Sequence, residues 1–202
     1  LSVSLSESNK LPDLIKDEIE LLEKKGLETE FGKNTDEFIN KSDLVIISPG
    51  ISPNTDIVKK LISLGKPIIS DIELASYFIN KPIISVTGTN GKTTVTSLIT
   101  HLINSSGKKA ISCGNIGKPL IEAVNENVDY FILEISSYQA YYSPTLSSHI
   151  AVLTNITPDH LEWHGGFENY VLAKKQLFAQ QKENSWAVLN YLDPIEKNIK
   201  TK

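Results

Sequence analysis

A glycine-containing loop with a lysine and two threonines follows an apolar, β-branched run at 83–87. The loop consists of Gly88, Thr89, Asn90, Gly91, Lys92, Thr93 and Thr94. Glycines let backbone N–H groups approach phosphate oxygens, the following helix start adds partial positive charge, Lys92 adds a full charge, and the Thr93 hydroxyl can bind Mg²⁺. The sequence therefore predicts a P-loop that binds a nucleoside triphosphate. The alternative is an ordinary Gly-Asn turn, since Val86 stands where the general motif has glycine.

Two further polar side chains lie at or just after the ends of predicted strands. Glu134 lies in the apolar run 131–135, where a carboxylate is costly unless it is paired or binds a cation. With a P-loop in the same sheet, Mg²⁺ ligation is favoured over an exposed or salt-bridged glutamate. His160 follows Asp159 after the strand 150–153 and could bind a metal or a phosphate. Spacing alone favours a helix cap at Asp159 and a solvated His160.

Three other residues have weaker local signals. Lys174 shares a helical stripe with apolar residues, where a lysine usually extends its amine to water. Asn115 lies between Gly114 and Gly117, which suits either close approach to a ligand or a turn. We expect His164 to be a loop residue, because two glycines follow it and argue against a long helix.

Composition limits the classes of function. The net charge is −4, all basic residues are lysine, and no basic cluster is present, so nucleic acid is not an expected partner. The chain has no long apolar run, so we expect no membrane association. The single cysteine, Cys113, suits a reducing compartment, and we expect a cytoplasmic protein. The absence of methionine suggests an internal piece of a longer protein.

The positioning elements alternate between strands and helices. Predicted strands cover 1–5, 44–48, 67–70, 83–87, 110–112, 130–135, 150–153 and 185–189. Predicted helices cover 11–25, 56–64, 72–79, 93–106, 119–125 and 168–180. This alternation predicts an α/β fold with mostly parallel sheets, whose ligand sites lie at the carboxyl ends of the strands. A linker at 80–82 separates two halves.

Taken together, the motifs resemble the Mur ligase family. The motifs that carry this resemblance are 86–94, 114–117, 133–139, 155–161 and 170–174, and the segments 48–51 and 70–74 make it closest to the D-glutamate-adding member. The resemblance implies a partial Rossmann-like N-terminal domain at 1–80, which would bind a UDP-linked substrate. It also implies a partial P-loop-type central ATPase domain at 81–202 with a mostly parallel sheet. By the same resemblance, we expect the family's C-terminal amino-acid-binding domain to lie outside this sequence.

The same resemblance assigns roles to residues. Residues 88–94 would bind ATP, and two Mg²⁺ sites are implied. The catalytic residues would be Lys92, Glu134, His160 and Lys174. The metal-binding residues would be Thr93, Glu134, His160 and Lys174, the last carboxylated on its amine by CO₂. The residues facing the UDP substrate would be Ser48, Pro49, Gly50, Asn115, Ser136 and His160.

The implied activity is that of an ADP-forming acid–amino-acid ligase of peptidoglycan synthesis. Its substrates would be UDP-N-acetylmuramoyl-L-alanine and D-glutamate, joined through an acyl phosphate, and the protein would be a monomer. We expect this chain alone to be inactive and marginally folded. The alternatives are another Mur ligase, folylpolyglutamate synthase, or a nucleotide-binding module without catalysis. Charge and the lack of arginine disfavour a nucleic-acid-dependent ATPase.

Overall fold

The computed structural model describes residues 2–200, which form two compact units. The smaller unit contains the residues up to Val45 together with Asp56–Pro67, and the larger contains Ile46–Thr55 and the residues from Ile68 onward. Leu1, Thr201 and Lys202 lie outside the described residues, so the predicted strand 1–5 and the predicted domain 81–202 extend beyond them. The assignment of 1–80 and 81–202 to two functional domains stays a prediction.

The smaller unit pairs two short strands and packs helices on buried aliphatic side chains. Its elements are β1 (Ser4–Glu7), a 3₁₀ turn (Asp13–Ile15), α1 (Lys16–Glu23), β2 (Glu28–Phe31), α2 (Asp36–Asn40) and α3 (Asp56–Ser63). β1 and β2 are parallel, with Ser4 opposite Glu28. Thr35 caps α2 by accepting the N–H of Phe38. The buried side chains are Ile19, Ile39, Val58 and Leu61.

The larger unit alternates strands and helices. Its strands are β3 (Val45–Ile46, which begins at the unit boundary), β4 (Ile68–Ile69), β5 (Ile83–Thr87), β6 (Ala110–Gly114), β7 (Tyr130–Glu134), β8 (Ile150–Leu153) and β9 (Trp186–Val188). Its helices are α4 (Asp71–Ser76), α5 (Lys92–Ser105), α6 (Leu120–Ala123), α7 (Ser137–Tyr141), α8 (Leu161–His164), α9 (Phe167–Ala179) and a 3₁₀ turn (Glu196–Asn198).

Five of these strands form one parallel sheet in the order β6-β7-β5-β8-β9. β5 is central and all five of its residues are buried, which explains its mostly apolar and β-branched sequence. Val86 lies opposite Glu134 on one side and Val152 on the other. The loops after β5, β7 and β8 therefore emerge side by side at the carboxyl edge of the sheet, and the predicted parallel α/β fold is confirmed.

The core of the larger unit forms between the sheet and its helices. α7 packs against α9, and α4 packs against α6. The completely buried core residues include Ile72, Leu120, Leu133, Ile135 and Phe178. Within residues 2–200, no helix combines the length and apolar character needed to cross a bilayer.

Candidate active site at the carboxyl edge of the sheet

The loop after β5 is braced by the loop after β8. Thr89 N–H donates to Asn155 O at 3.0 Å, and Asn90 N–H donates to Asn155 Oδ1 at 3.0 Å. In return, Asn155 Nδ2 and Thr154 Oγ1 donate to Asn90 O at 2.8 and 2.7 Å. Because these bonds fix the backbone of residues 89 and 90, the loop keeps its shape through the neighbouring strand.

Position 88 requires a glycine for two reasons, which are its backbone conformation and the close approach of neighbouring atoms. Its φ is +148°, a value that L side chains rarely adopt. A Cβ at this position would overlap Thr154 Oγ1 and would lie 3.1 Å from Asn155 O. A side chain here would push the loop away from the β8 loop that braces it.

Lys92 is the first residue of α5 and keeps its ammonium group against the loop. Its Nζ donates to Gly88 O at 3.1 Å and to Thr89 O at 3.0 Å. Gly91 caps the helix with φ of +83°, so the chain turns sharply from the loop into α5. The lysine charge and the helix N-terminus therefore lie together, as an anion site requires.

Thr93, Glu134 and Asn115 form a hydrogen-bonded group beside this loop. Thr93 Oγ1 donates to Glu134 Oε2 at 2.8 Å, and Asn115 Nδ2 donates to Glu134 Oε1 at 2.8 Å. The Glu134 side chain is only 1% exposed, and no lysine or histidine among residues 2–200 forms an ion pair with it. A buried carboxylate next to a hydroxyl is the oxygen donor set that Mg²⁺ prefers.

Lys174 is buried at 1% exposure, so its amine does not extend to water. Its Nζ donates to Gly88 O at 2.9 Å and to Thr87 Oγ1 at 3.3 Å, and lies 4.7 Å from the centre of the Tyr170 ring. Burial, followed by the positive charge of Lys92, lowers the pKa of Lys174 to about 7. A fraction of this lysine is therefore neutral and nucleophilic at neutral pH.

His160 is the N-cap residue that precedes α8, and it has a left-handed conformation with φ of +52°. Its Nε2 lies 3.4 Å from Asp159 Oδ2, and its ring centre lies 4.8 Å from that of Tyr138. The side chain is 48% exposed. Because about half of its side chain is exposed, His160 can accept a ligand. The negative charge of its neighbour Asp159 acts on Lys174, where it favours the charged form of the amine.

The expectation for His164 is wrong, because it is a buried residue at the end of α8. It is 3% exposed, and its Nε2 forms a 2.9 Å hydrogen bond with Ser137 Oγ. Burial, followed by the positive charges of Lys174 and His160, lowers the pKa of His164 to about 4. The glycines at 165 and 166 do follow the end of the helix, but the four helical residues before them already place the His164 imidazole in a buried position.

The remaining predicted substrate residues lie at two places. Ser136 caps α7 by accepting the N–H of Gln139 at 3.2 Å, in a capping box with the Gln139 side chain. Ser48 and Gly50 are exposed, and Pro49 is half-buried. Gly50 O accepts the indole N–H of Trp163 at 3.1 Å, which ties this segment to α8.

Sequence reasoning predicted Thr89 in the P-loop but assigned no site role to the residues that hold this loop, which are Thr154, Asn155, Thr157 and Tyr170. Thr89 Oγ1 forms a 2.8 Å hydrogen bond with Tyr170 OH and accepts the N–H of Thr157 at 3.0 Å. Thr154 and Asn155 complete the contacts with the P-loop. A usable signal was present, because both follow the predicted strand 150–153, and parallel strands end at the same edge of a sheet.

The fold and the loop define an α/β domain of the P-loop type. The family model described as "Mur ligase middle domain" matches residues 86–202, more than half of the chain. This chain belongs to the Mur ligase family.

Curated relatives extend the match to nearly the whole chain. "UDP-N-acetylmuramoylalanine--D-glutamate ligase" of Thermoanaerobacter pseudethanolicus is 40% identical over 192 residues, covering 94% of this chain and 42% of that protein. The protein of the same name from Pelotomaculum thermopropionicum is 39% identical over 201 residues, covering 98% of this chain and 44% of that protein. The chain therefore spans less than half the length of these relatives.

Solved structures share the fold at low sequence identity. A MurF ligase from Thermotoga maritima in complex with ADP has a TM-score of 0.57 and 19% identity, covering 98% of this chain and 45% of that one. A UDP-N-acetylmuramate:L-alanyl-gamma-D-glutamyl-meso-diaminopimelate ligase from Neisseria meningitides has a TM-score of 0.58 and 17% identity, covering 98% and 74%. These likenesses support the fold alone.

Proposed function

We propose that this chain is part of an ATP-dependent, ADP-forming ligase that joins D-glutamate to UDP-N-acetylmuramoyl-L-alanine in peptidoglycan synthesis. The observation that carries the proposal is the Thr93–Glu134 pair beside the P-loop, in a chain whose relatives bear the name of that enzyme. We further propose that the protein is cytoplasmic and monomeric, and that its amino-acid-binding domain is in the remainder of the full-length protein.

The nucleotide site would consist of residues 88–94. The backbone of the braced loop and the Lys92 ammonium suit the β- and γ-phosphates, since both present positive charge at one point. Thr93 and Glu134 would hold one Mg²⁺, leaving its other positions to phosphate and water oxygens. Mg²⁺ held by these two residues would supply positive charge beside the transferred phosphoryl group.

Lys174 and His160 would serve a second metal site. The environment of Lys174 suits carboxylation, because its pKa of about 7 leaves neutral amine for reaction with CO₂. The Nζ lone pair forms a bond to the CO₂ carbon and the amine releases one proton, so a cation becomes a carboxylate-like ligand. This conversion would explain a lysine that is buried at 1% exposure and to whose amine residues 2–200 offer no carboxylate as a hydrogen-bond partner.

The UDP substrate would contact the two remaining groups. Asn115, Ser136 and His160 lie in loops or helix starts after β6, β7 and β8 of the larger unit, and would face the muramoyl-alanine part. Ser48-Pro49-Gly50 would approach the diphosphate. The assignment of 1–80 to UDP-substrate binding and 81–202 to ATP binding belongs to this proposal.

The reaction has two chemical steps. An oxygen of the alanine carboxylate attacks the γ-phosphorus, and ADP leaves, giving an acyl phosphate. The amine of D-glutamate then attacks the acyl carbon, phosphate leaves with the bridging oxygen, and the amine loses a proton to give the amide. Lys92 would stabilise the negative charge that develops on the transferred group.

Phosphate release by the full-length protein tests this function. The assay contains ATP, Mg²⁺ and UDP-N-acetylmuramoyl-L-alanine, and compares D-glutamate with meso-diaminopimelate, L-lysine and no amino acid. We expect release only with D-glutamate, and its loss in Lys92→Ala but not in Lys108→Ala, which alters an exposed lysine of the same unit. Release with another amino acid would indicate a different Mur ligase, and release without any would indicate a plain ATPase.

Carboxylation of Lys174 can be tested separately by ¹³C NMR in ¹³C-bicarbonate. We expect a carbamate signal that disappears in Lys174→Ala and persists in Lys175→Ala, the neighbouring half-buried lysine on another face of α9. Spectra that are identical in the wild type and both variants would contradict carboxylation.

A further inference from the structure

Each of the three consecutive residues 50–52 forms a hydrogen bond with Trp163 or Tyr142 of the larger unit. Gly50 O accepts the Trp163 indole N–H at 3.1 Å, and Ile51 O accepts the Tyr142 hydroxyl at 3.0 Å. Ser52 Oγ donates to Trp163 O at 2.7 Å. The segment has no helix or strand of its own between β3 and α3, so these bonds determine its position.

Trp163 is itself held by neighbouring rings. Its ring stacks on Tyr138 with centres 4.4 Å apart and an angle of 29°. Tyr141 and Tyr142 meet it edge-on at 5.6 and 6.0 Å, and His164 at 4.5 Å. A ring packed on several sides directs its N–H rigidly, and the pairs add stability beyond their buried area. We call Trp163, Tyr138 and Tyr142 the aromatic anchor.

The anchor connects two groups that the proposed function assigns to one substrate. Trp163 lies on α8, which begins directly after His160, and Tyr138 of the anchor also contacts the His160 ring. On its other side, Trp163 fixes Gly50 of the exposed Ser48-Pro49-Gly50 segment. The indole hydrogen bond of Trp163 and its aromatic support therefore contribute, together with the Tyr142 and Ser52 bonds, to the position of that segment relative to His160.

We propose that Trp163 is a positioning residue that holds residues 48–52 in register with His160 for binding the nucleotide-diphosphate-sugar substrate. The inference rests on the proposed function, because it takes the substrate from there. Pre-organisation of a binding segment raises affinity by reducing the ordering cost on binding. Trp163 would thus affect binding of this substrate and leave ATP binding and the chemical steps unchanged.

Trp163→Phe in the full-length protein tests this role, because phenylalanine keeps an aromatic ring but lacks the N–H donor. We expect the KM for UDP-N-acetylmuramoyl-L-alanine to rise roughly two- to tenfold, the range that one hydrogen bond supplies. The KM for ATP and kcat should stay within about twofold. We also expect faster deuterium uptake in a peptide spanning 47–55. The matched control is Trp186→Phe, since Trp186 lies 69% exposed on the edge strand β9.

Each outcome decides between the alternatives. An unchanged KM for the UDP substrate, or unchanged deuterium uptake at 47–55, would overturn the inference. Equal losses in kcat and in both KM values, with faster uptake throughout the larger unit, would also overturn it by indicating general damage to the fold. A wild-type protein without D-glutamate-dependent phosphate release would instead overturn the proposed function and the substrate named here. Deuterium uptake would still report whether Trp163 holds the segment.

Discussion

The replacement of Gly88 by alanine is the most direct test of how the P-loop is positioned. In the structure a Cβ at this residue overlaps Thr154 Oγ1 and lies 3.1 Å from the backbone oxygen of Asn155. The backbone also has a φ of +148°, which disfavours any L side chain. Both effects act on the contact between the P-loop and the loop after β8.

The cost can be estimated from these two contributions. A non-glycine residue held in a sparsely populated conformation costs about 1–3 kcal/mol, and overpacking a well-packed site costs about another 1–3 kcal/mol. Gly88→Ala should therefore destabilise the protein by about 2–6 kcal/mol if the loop stays in place. If the loop moves instead, part of that cost appears as weaker nucleotide binding, where about 1.4 kcal/mol is tenfold in affinity.

The assay combines thermal unfolding with titration of ADP. The matched control is Gly91→Ala, because Gly91 has a φ of +83°, but a Cβ added there meets no non-neighbouring atom of residues 2–200 within 4 Å. That control should show only conformational strain, about 1–2 kcal/mol. A double variant with Thr154→Ala removes the overlapping hydroxyl. We expect it to recover at least about 1 kcal/mol of the Gly88→Ala loss, relative to the sum of the single changes.

The reasoning would be refuted by two results together. The first is that Gly88→Ala and Gly91→Ala lower the stability and the ADP affinity by the same amounts. The second is that adding Thr154→Ala to Gly88→Ala lowers the stability further and recovers none of the loss caused by Gly88→Ala. Such a pattern would mean that the loop does not depend on close contact with the residues after β8.

Three further outcomes follow from buried groups. Glu134→Gln keeps the side-chain shape but removes the charge, so kcat of the full-length protein should fall at least about 100-fold even at saturating Mg²⁺; a full recovery at high Mg²⁺ would contradict this. Folding lowers the pKa of Lys174 from 10.5 to about 7, so between these values the unfolded state binds more protons and stability rises with pH. Wild type should therefore gain about 2 kcal/mol over Lys174→Met from pH 7 to 9 in CO₂-free denaturation, and parallel pH profiles would contradict it. His164→Ala leaves a cavity and an unpaired Ser137 hydroxyl, so unfolding should become about 2–4 kcal/mol easier, whereas exposed His101→Ala should change it by less than about 0.5 kcal/mol.

Local sequence patterns predicted the central part of the fold well. The run 83–87 is buried on both faces, as its mostly apolar and β-branched residues predict, and it became the central strand β5. Glu134 could be placed near the P-loop because parallel strands end at the same edge of a sheet. The structure adds the Thr93 and Asn115 bonds that bring the three side chains together.

Contacts between distant residues could not be predicted in this way. Nothing in the sequence near Lys174 shows that its amine reaches Gly88 O, 86 residues away, so the usual exposed lysine was the reasonable expectation. His164 was misplaced because the two glycines after it argue against a long helix but are compatible with the four-residue helix Leu161–His164. The bond to Ser137 that buries its ring depends on α7, a five-residue helix that was not predicted.

Short elements were also missed in the smaller unit. Strand β2 is only four residues, Glu-Thr-Glu-Phe, with two charged side chains, and α2 has five residues. Local propensity alone does not predict them, since β2 also needs its pairing with β1, and the 2.6 Å bonds from Thr35 N–H and Oγ1 to the Glu30 carboxylate join the end of β2 to the start of α2.

The transfer of oxygen from substrate to phosphate tests the proposed ligase chemistry most directly. The full-length protein is supplied with ATP, Mg²⁺, D-glutamate and UDP-N-acetylmuramoyl-L-alanine labelled with ¹⁸O in the alanine carboxylate, and the released phosphate is analysed by mass spectrometry. We predict one ¹⁸O atom in each released phosphate, because the bridging oxygen of the acyl phosphate leaves with phosphorus. Unlabelled phosphate would mean that water attacks ATP, and would contradict the account.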